Sequence, residues 1–232
     1  MNASTAGFFI TGTDTGVGKT LVAVALTRAL VNLGQRVAVM KPVAAGAMQT
    51  AEGEFNDDAL DLLAASNVPA PYADVNPWLL KTPASPHLAA RADGVTIRLD
   101  RIHAAFERLR AASDLVLVEG AGGWLAPISA TETMADVAGS LALPVIIVVG
   151  LRLGCLNHAL LTREALRARG LRFGGWIANR MATEMPLVAA NIETLSSRFG
   201  VPPLGIVPGA GTAAGQAIPS WAAEAASKLV SP

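Results

Sequence analysis

The chain has one cysteine and three histidines in 232 residues. A lone Cys155 excludes an internal disulfide, and His87, His103 and His158 are too scattered to give zinc-ligand spacing. We read the histidines as packed or solvated, and no GxSxG elbow or motif around Cys155 marks a nucleophile. Excess charge is also lacking: 18 Lys+Arg balance 18 Asp+Glu, for a formal net charge of +0. No global field therefore gathers nucleic acid or anionic lipid, and any anion has to be held locally. No apolar run reaches the roughly 20 residues of a bilayer span, and the longest, around Leu141 to Gly150, is about half that. Met1 to Gly7 has no basic region, and Phe8 to Ile10 is too brief for a signal-peptide core. These absences predict a cytoplasmic protein that uses neither membrane nor nucleic acid.

Apolar residues are abundant. At 52% hydrophobic and 16% charged, most of the chain can enter a layered core. The length lies within the range over which one α/β core grows before splitting, and no repeat or low-complexity linker interrupts it, so one domain over 1–232 is expected. Short branched or aromatic runs alternate with helical patterns, which predicts a doubly wound, mainly parallel sheet with helices on both faces. The predicted strands are Gly7 to Thr11, Arg36 to Lys41, Asp114 to Val118, Val145 to Val149, Phe173 to Ala178 and Leu204 to Val207. Helices are predicted over Thr20 to Leu33, apolar nearly all round and stopped by Gly34, and over Leu156 to Arg169, basic in its last turns and stopped by Gly170. Two more are predicted near Asp57 to Ala65 and Leu99 to Ala111. Pro69, Pro71, Pro77, Pro83 and Pro86 crowd the segment Asn67 to Pro86, which is expected to hold no regular element and to connect the strand ends over a site.

The strongest local signal is Gly12-Thr13-Asp14-Thr15-Gly16-Val17-Gly18-Lys19-Thr20, which follows a predicted strand and opens a predicted helix. Backbone amides of such a turn and the helix N-terminus surround phosphate oxygens, Lys19 reaches the terminal phosphates, and the Thr20 hydroxyl ligates Mg²⁺. ATP or GTP is implied. The loop is a variant, because Gly12 and Gly18 enclose five residues where the common pattern has four; an ordinary glycine-rich turn is the alternative, disfavoured by GVGKT in this context. The lysines are Lys19, Lys41, Lys81 and Lys228, and every other cationic side chain is arginine. In this arginine-rich set, Lys19 and Lys41 fall at the ends of the first two strands, on what a parallel sheet makes a shared carboxyl edge; a solvated strand-end charge is the other reading of Lys41. Glu119 ends an apolar strand and is followed by Gly120-Ala121-Gly122-Gly123, where an acid would hold magnesium directly or through water; its alternative is a helix cap. Spacing alone makes Asp57 and Asp58 a cap and a first-turn charge of the following helix.

With these residues noted, the chain resembles the dethiobiotin synthetase family along nearly its whole length. The resemblance rests on GTDTGVGKT, KPVAAG at Lys41 to Gly46, NDDALDL from Asn56, NPW at Asn76 to Trp78 and SPH at Ser85 to His87. It continues with VEGAGGW at Val118 to Trp124, LGCLNHALLT from Leu153 and WIANR at Trp176 to Arg180. It weakens over Gly211 to Pro232. The resemblance implies a P-loop, Mg²⁺- and ATP-dependent ligase that joins CO₂ to both amines of 7,8-diaminononanoate through a carbamate and its phosphorylation. It implies Thr15, Lys19 and Lys41 as catalytic residues and Thr20, Asp58 and Glu119 as magnesium-associated. It also implies an ATP site of Gly16, Val17, Gly18, Lys19, Thr20, Leu21, Asp58, Glu119, Gly120, Ala121, Gly122, Asn179, Arg180, Pro208, Gly209 and Ala210. Ala45 and Asn157 match substrate positions, the latter reaching across a homodimer interface. Gly16 and Ala45 depart from relatives that carry glutamate and serine there. A switch ATPase of the partitioning or maturation type is the rival enzyme-class reading; such proteins carry a lysine early in the loop, where this chain has Gly12-Thr13-Asp14, and no amphipathic C-terminal membrane helix is expected here. A non-catalytic nucleotide-binding module is disfavoured by Lys41 together with Glu119.

Overall fold

Residues 7–181, 185–209 and 218–230 are described by the computed structural model. The first half contains β1 (Gly7–Gly12), α1 (Lys19–Asn32), β2 (Val37–Met40), β3 (Val43–Ala45), β4 (Met48–Thr50), β5 (Gly53–Phe55), α2 (Asp57–Ala65), α3 (Tyr72–Val75), β6 (Trp78–Leu80), α4 (Pro86–Ala92) and α5 (Leu99–Ala111). The second half contains β7 (Leu115–Gly123), α6 (Met134–Leu141), β8 (Val145–Leu151), α7 (Cys155–Ala168), β9 (Phe173–Arg180), α8 (Val188–Phe199), β10 (Gly205–Val207) and α9 (Ser220–Val230).

The six strands anticipated from the branched runs form one parallel sheet in the order β10-β9-β8-β1-β7-β2. A strand covered on both faces has no polar side to show, which is why β1, β2 and β8 are buried at every residue. Successive residues of β1 point to opposite faces: Phe9 enters the core shared with α5, α6, α7 and α8, whereas Phe8 and Ile10 enter the core shared with α1, α2 and α9. In α5 the buried residues are Ile102, Ala105, Phe106 and Leu109, the spacing of one helical stripe. Burying each of its larger apolar side chains contributes roughly 2–3 kcal/mol before entropy is charged against it. No helix among the described residues is long and apolar enough to cross a membrane.

The proline-rich segment corrects the expectation of no regular element. It holds α3 and β6, and α4 starts at its end. The prolines stand where a lost N–H costs little: Pro71 precedes the first turn of α3 and Pro86 sits in the first turn of α4. Strand β6 pairs with β3, in parallel, as a small second sheet, and β4 with β5 form a hairpin. Strand β7 runs on through the glycines after Glu119, so that Gly123 lies opposite Gly12. The chain also forms α6, α8 and α9, which the sequence reading did not name. Helix α9 lies against α1 with Trp221, Ala222, Ala225 and Ala226 buried.

Chain connections from β1 and from β7 leave toward opposite sides of the sheet, since β2 lies beyond β7 and β8 lies beyond β1. The crevice at the carboxyl ends of such strands is where open α/β sheets bind ligands. It receives the loop after β1, the end of β2 and the end of β7.

Candidate functional site

The loop between β1 and α1 is tied at both ends. Thr13 donates its N–H to Val148 O at 3.0 Å, and Val22, in the first turn of α1, donates to Gly18 O at 3.1 Å. Gly18 has φ 88°, and a Cβ built there would meet Asn179 Nδ2 at 2.3 Å, so conformation and space both require glycine. Asn179, from the end of β9, is buried and donates Nδ2 to Val17 O at 2.8 Å. It thereby clamps the loop from a strand two places away. Lys19 is buried and donates Nζ to Asp14 O at 3.1 Å. Asp14 also accepts the Thr15 N–H at 2.7 Å and pairs with Arg152.

Lys41 leaves β2 at the same edge and is held by its backbone. Its N–H donates to Val75 O at 2.7 Å, and its carbonyl accepts from Asn76 Nδ2 at 2.7 Å. Its Nζ donates at 2.7 Å to Asp58 Oδ2 and at 2.7 Å to Glu119 Oε1. Thr20 Oγ1 donates to the same Glu119 oxygen at 2.9 Å. Asn56 is the cap of α2, with its side chain accepting from Ala59 N–H at 3.4 Å. Asp57 is an exposed first-turn charge, whereas Asp58 turns inward to Lys41.

Burial and charge oppose each other here. Burial alone lowers the Lys41 ammonium, but the Glu119 and Asp58 carboxylates outweigh it and leave it raised above its ordinary value. Burial holds Glu119 above the usual carboxylate range, against the pull of Lys41. The half-exposed Asp58 loses less water, so Lys41 lowers it. Lys19 is lowered to about 8, by burial first and by the like charge of Lys41 second.

One cavity of about 700 Å³ brings together Thr15, Gly16, Gly18, Lys19, Thr20, Lys41, Ala45, Asp58, Glu119, Ala121 and Gly122. Other named residues lie around it. Val17 is buried beneath the loop, Leu21 is exposed on α1, and Gly120 faces the Phe9 ring. Arg180 ends β9; Val207 pairs with Asn179, which brings Pro208 and Gly209 to the same end of the sheet. Ala210 lies outside the described residues. Asn157 is exposed on the first turn of α7, away from the cavity lining. Sequence reasoning gave no role to Asn76, which fixes Lys41, or to Ser85 and Pro127, which line the cavity. The runs NPW and SPH were the available signal for the first two.

The donor set suits magnesium. Glu119 Oε2 is buried without a hydrogen-bond partner, beside a hydroxyl and a second carboxylate, all oxygen donors. Among the described residues no three His, Cys, Asp or Glu gather as a metal cage.

Comparison with known proteins agrees with this geometry. A family model described as an AAA domain matches residues 6–215. The chain is 50% identical over 201 residues to the ATP-dependent dethiobiotin synthetase BioD of Xanthomonas oryzae pv. oryzae (strain PXO99A), covering 87% of this chain and 90% of that protein. It is 51% identical to the protein of the same name from Aromatoleum aromaticum, covering 87% and 89%. Among solved structures, the cell division ATPase MinD of Pyrococcus furiosus matches with a TM-score of 0.56 at 16% identity, covering 97% of this chain and 98% of that one; this likeness shows the fold alone. At half-identity over most of both lengths, the chain belongs to the family of ATP-dependent dethiobiotin synthetases.

Proposed function

We propose that the chain acts as one P-loop ligase domain, in the cytoplasm, closing the ureido ring of dethiobiotin in biotin biosynthesis. Its substrates are 7,8-diaminononanoate, CO₂ and ATP, and its products are dethiobiotin, ADP and phosphate. The observation that carries this reading is the meeting of two lysines and two carboxylates in one cavity over the phosphate loop, in a chain half identical to synthetases of that name.

The chemistry asks little covalent work of the protein. One amine nitrogen adds to the carbon of CO₂ and loses a proton, giving a carbamate. A carbamate oxygen takes the γ-phosphoryl group as its bond to ADP breaks. The second amine attacks the carbonyl carbon, the bond to phosphate oxygen breaks, and the ring closes. Each step gathers negative charge on oxygens, so positioning and neutralisation dominate. The loop amides and the α1 N-terminus hold the triphosphate. Lys19 follows the transferred phosphoryl group from within the loop, and Lys41 neutralises the carbamate side from the end of β2. Thr15 closes the mouth of the loop opposite Gly122. Thr20, Asp58 and Glu119 would hold Mg²⁺, which when bound would offset the charge of the phosphate oxygens. Asn179 supports the nucleotide through the loop and keeps its carbonyl oxygen for the base, with Arg180, Pro208 and Gly209 alongside. The diamine lies toward Ala45. Gly16 offers it no side chain, and among the described residues no atom beyond its chain neighbours lies within 4 Å of where a Cβ would stand.

A homodimer completes the reading. Asn157 and Leu161 are one turn apart on α7, and Leu161 and Leu153 are exposed, so a second copy covering this face would meet Asn157 at a helix N-terminus suited to a carboxylate. Phosphate release tests the function. It should require diamine and bicarbonate together with ATP; steady hydrolysis in the absence of either would point to a switch ATPase.

A further inference from the structure

Lys41 stands between two carboxylates rather than beside one. Its Nζ is 2.7 Å from Asp58 Oδ2 and 2.7 Å from Glu119 Oε1, and the Thr20 hydroxyl occupies the same Glu119 oxygen at 2.9 Å. Thr20, Asp58 and Glu119 are the proposed magnesium donors, so the inference rests on that reading. An ammonium and a divalent ion drawn to the same pair of carboxylates repel each other, and the burial of Lys41 and Glu119 leaves that repulsion weakly screened. Only one of the two cations can be centred between the pair. Lys41 is also anchored by its backbone, through Val75 and Asn76. Its flexible four-carbon stem can therefore change direction while the strand end stays fixed.

We propose that Lys41 is a built-in competitor of the divalent ion: its ammonium holds Asp58 and Glu119 together until nucleotide phosphates arrive with the metal, and then turns from the carboxylates toward the reacting phosphoryl group. Two consequences follow. The protein without nucleotide binds divalent metal weakly, because the metal must displace an internal charge already paired with both acids. With nucleotide, the phosphates supply further metal ligands and a new partner for the displaced ammonium, so metal and nucleotide load together. The same side chain thus sets the order of binding and then serves the reaction.

The test is direct metal binding, with Mn²⁺ as the probe, followed by electron paramagnetic resonance of the free ion. Wild type, Lys41→Met and Lys41→Arg are compared with and without a non-hydrolysable ATP analogue. Without nucleotide, Lys41→Met should bind Mn²⁺ about tenfold or more tightly than wild type, whereas Lys41→Arg, which keeps the charge, should not. With the analogue present, that gap should shrink. Equal or weaker Mn²⁺ binding by Lys41→Met without nucleotide would overturn the competition. If Lys41→Met is unfolded in metal-free buffer, added Mn²⁺ should restore a cooperative thermal transition, and failure to do so overturns the proposal equally. If no form binds Mn²⁺ even with the analogue, the metal assignment of Asp58 and Glu119 itself fails, a result distinct from loss of the competition alone.

Discussion

Lys19 is proposed to meet the nucleotide phosphates, and its burial carries a cost in the folded protein without an anion. Its value of about 8, against an ordinary 10.5, means that below about pH 8 the fold carries a charge it solvates poorly, a cost on the order of 3 kcal/mol. As pH rises from about 8 toward 10.5 the folded protein releases this proton before the unfolded chain does, so the contribution of this site to stability rises across that window. Phosphate needs the ammonium form. At about pH 9, ATP binding should therefore take up close to about one proton, read by calorimetry in buffers of different ionisation enthalpy. Lys19→Met should abolish that uptake along with most of the affinity; identical heats in all buffers for wild type would contradict the shift. Asn179 makes a second residue-scale prediction. Asn179→Ala removes the donor to Val17 O and the atom packed over Gly18, a loss of about 1–2 kcal/mol. KM for ATP should rise roughly tenfold with a smaller change in kcat, and an unchanged KM would remove the clamp from the account.

Among the elements, α6 shows how a short helix is held at its start. Thr133 and Asp136 form a capping box, the carboxylate accepting from the Thr133 N–H at 2.7 Å, and Asp136 also pairs with Arg169. Thr133→Ala keeps the backbone bond and loses the hydroxyl, so scanning calorimetry should record a Tm lower by about 2–4 °C, for a loss near 1 kcal/mol. No change would mean that the Thr133 N–H bond and the Asp136–Arg169 pair hold the turn without the hydroxyl. The same cap is present in the sequence as Thr-x-x-Asp, at Thr133 and Asp136. Helices α2 and α5, by contrast, were legible end to end: α5 repeats its apolar stripe over three turns and α2 begins at a run Asn-Asp-Asp. The proline-rich segment misled because proline was read as a breaker throughout, whereas at a helix start its missing N–H has no partner to lose.

At the scale of the whole molecule, neutrality overall coexists with an exposed apolar face. Leu153 and Leu161 on and beside α7 are 95% and 57% exposed, and Leu125 across a shallow depression is 53% exposed. Under the proposed dimer, sedimentation should give about twice the 23.8 kDa of one chain. Leu161→Glu should give single chains that bind ATP normally but fail to close the ring, since a buried unpaired charge at such an interface typically costs several kcal/mol. Full activity in a monomeric Leu161→Glu protein would remove Asn157 from the neighbour's site.

By itself the sequence determined whatever depends on neighbours along the chain. The parallel core follows from branched runs with no polar face, and the phosphate loop follows from amides and glycines within nine consecutive residues, Gly12 to Thr20. Its matches to the synthetase family also marked Lys41, Asp58 and Glu119, though spacing alone favoured a bland role for Asp58. Only the tertiary structure decided that one ammonium is shared by Asp58 and Glu119, that Asn76 fixes that lysine, and that Asn179 clamps Val17. Lys41 and Glu119 are 78 residues apart, and Val17 and Asn179 are 162 apart. Strand order and register bring such residues to one sheet edge, and local periodicity carries no record of which distant side chains will meet there.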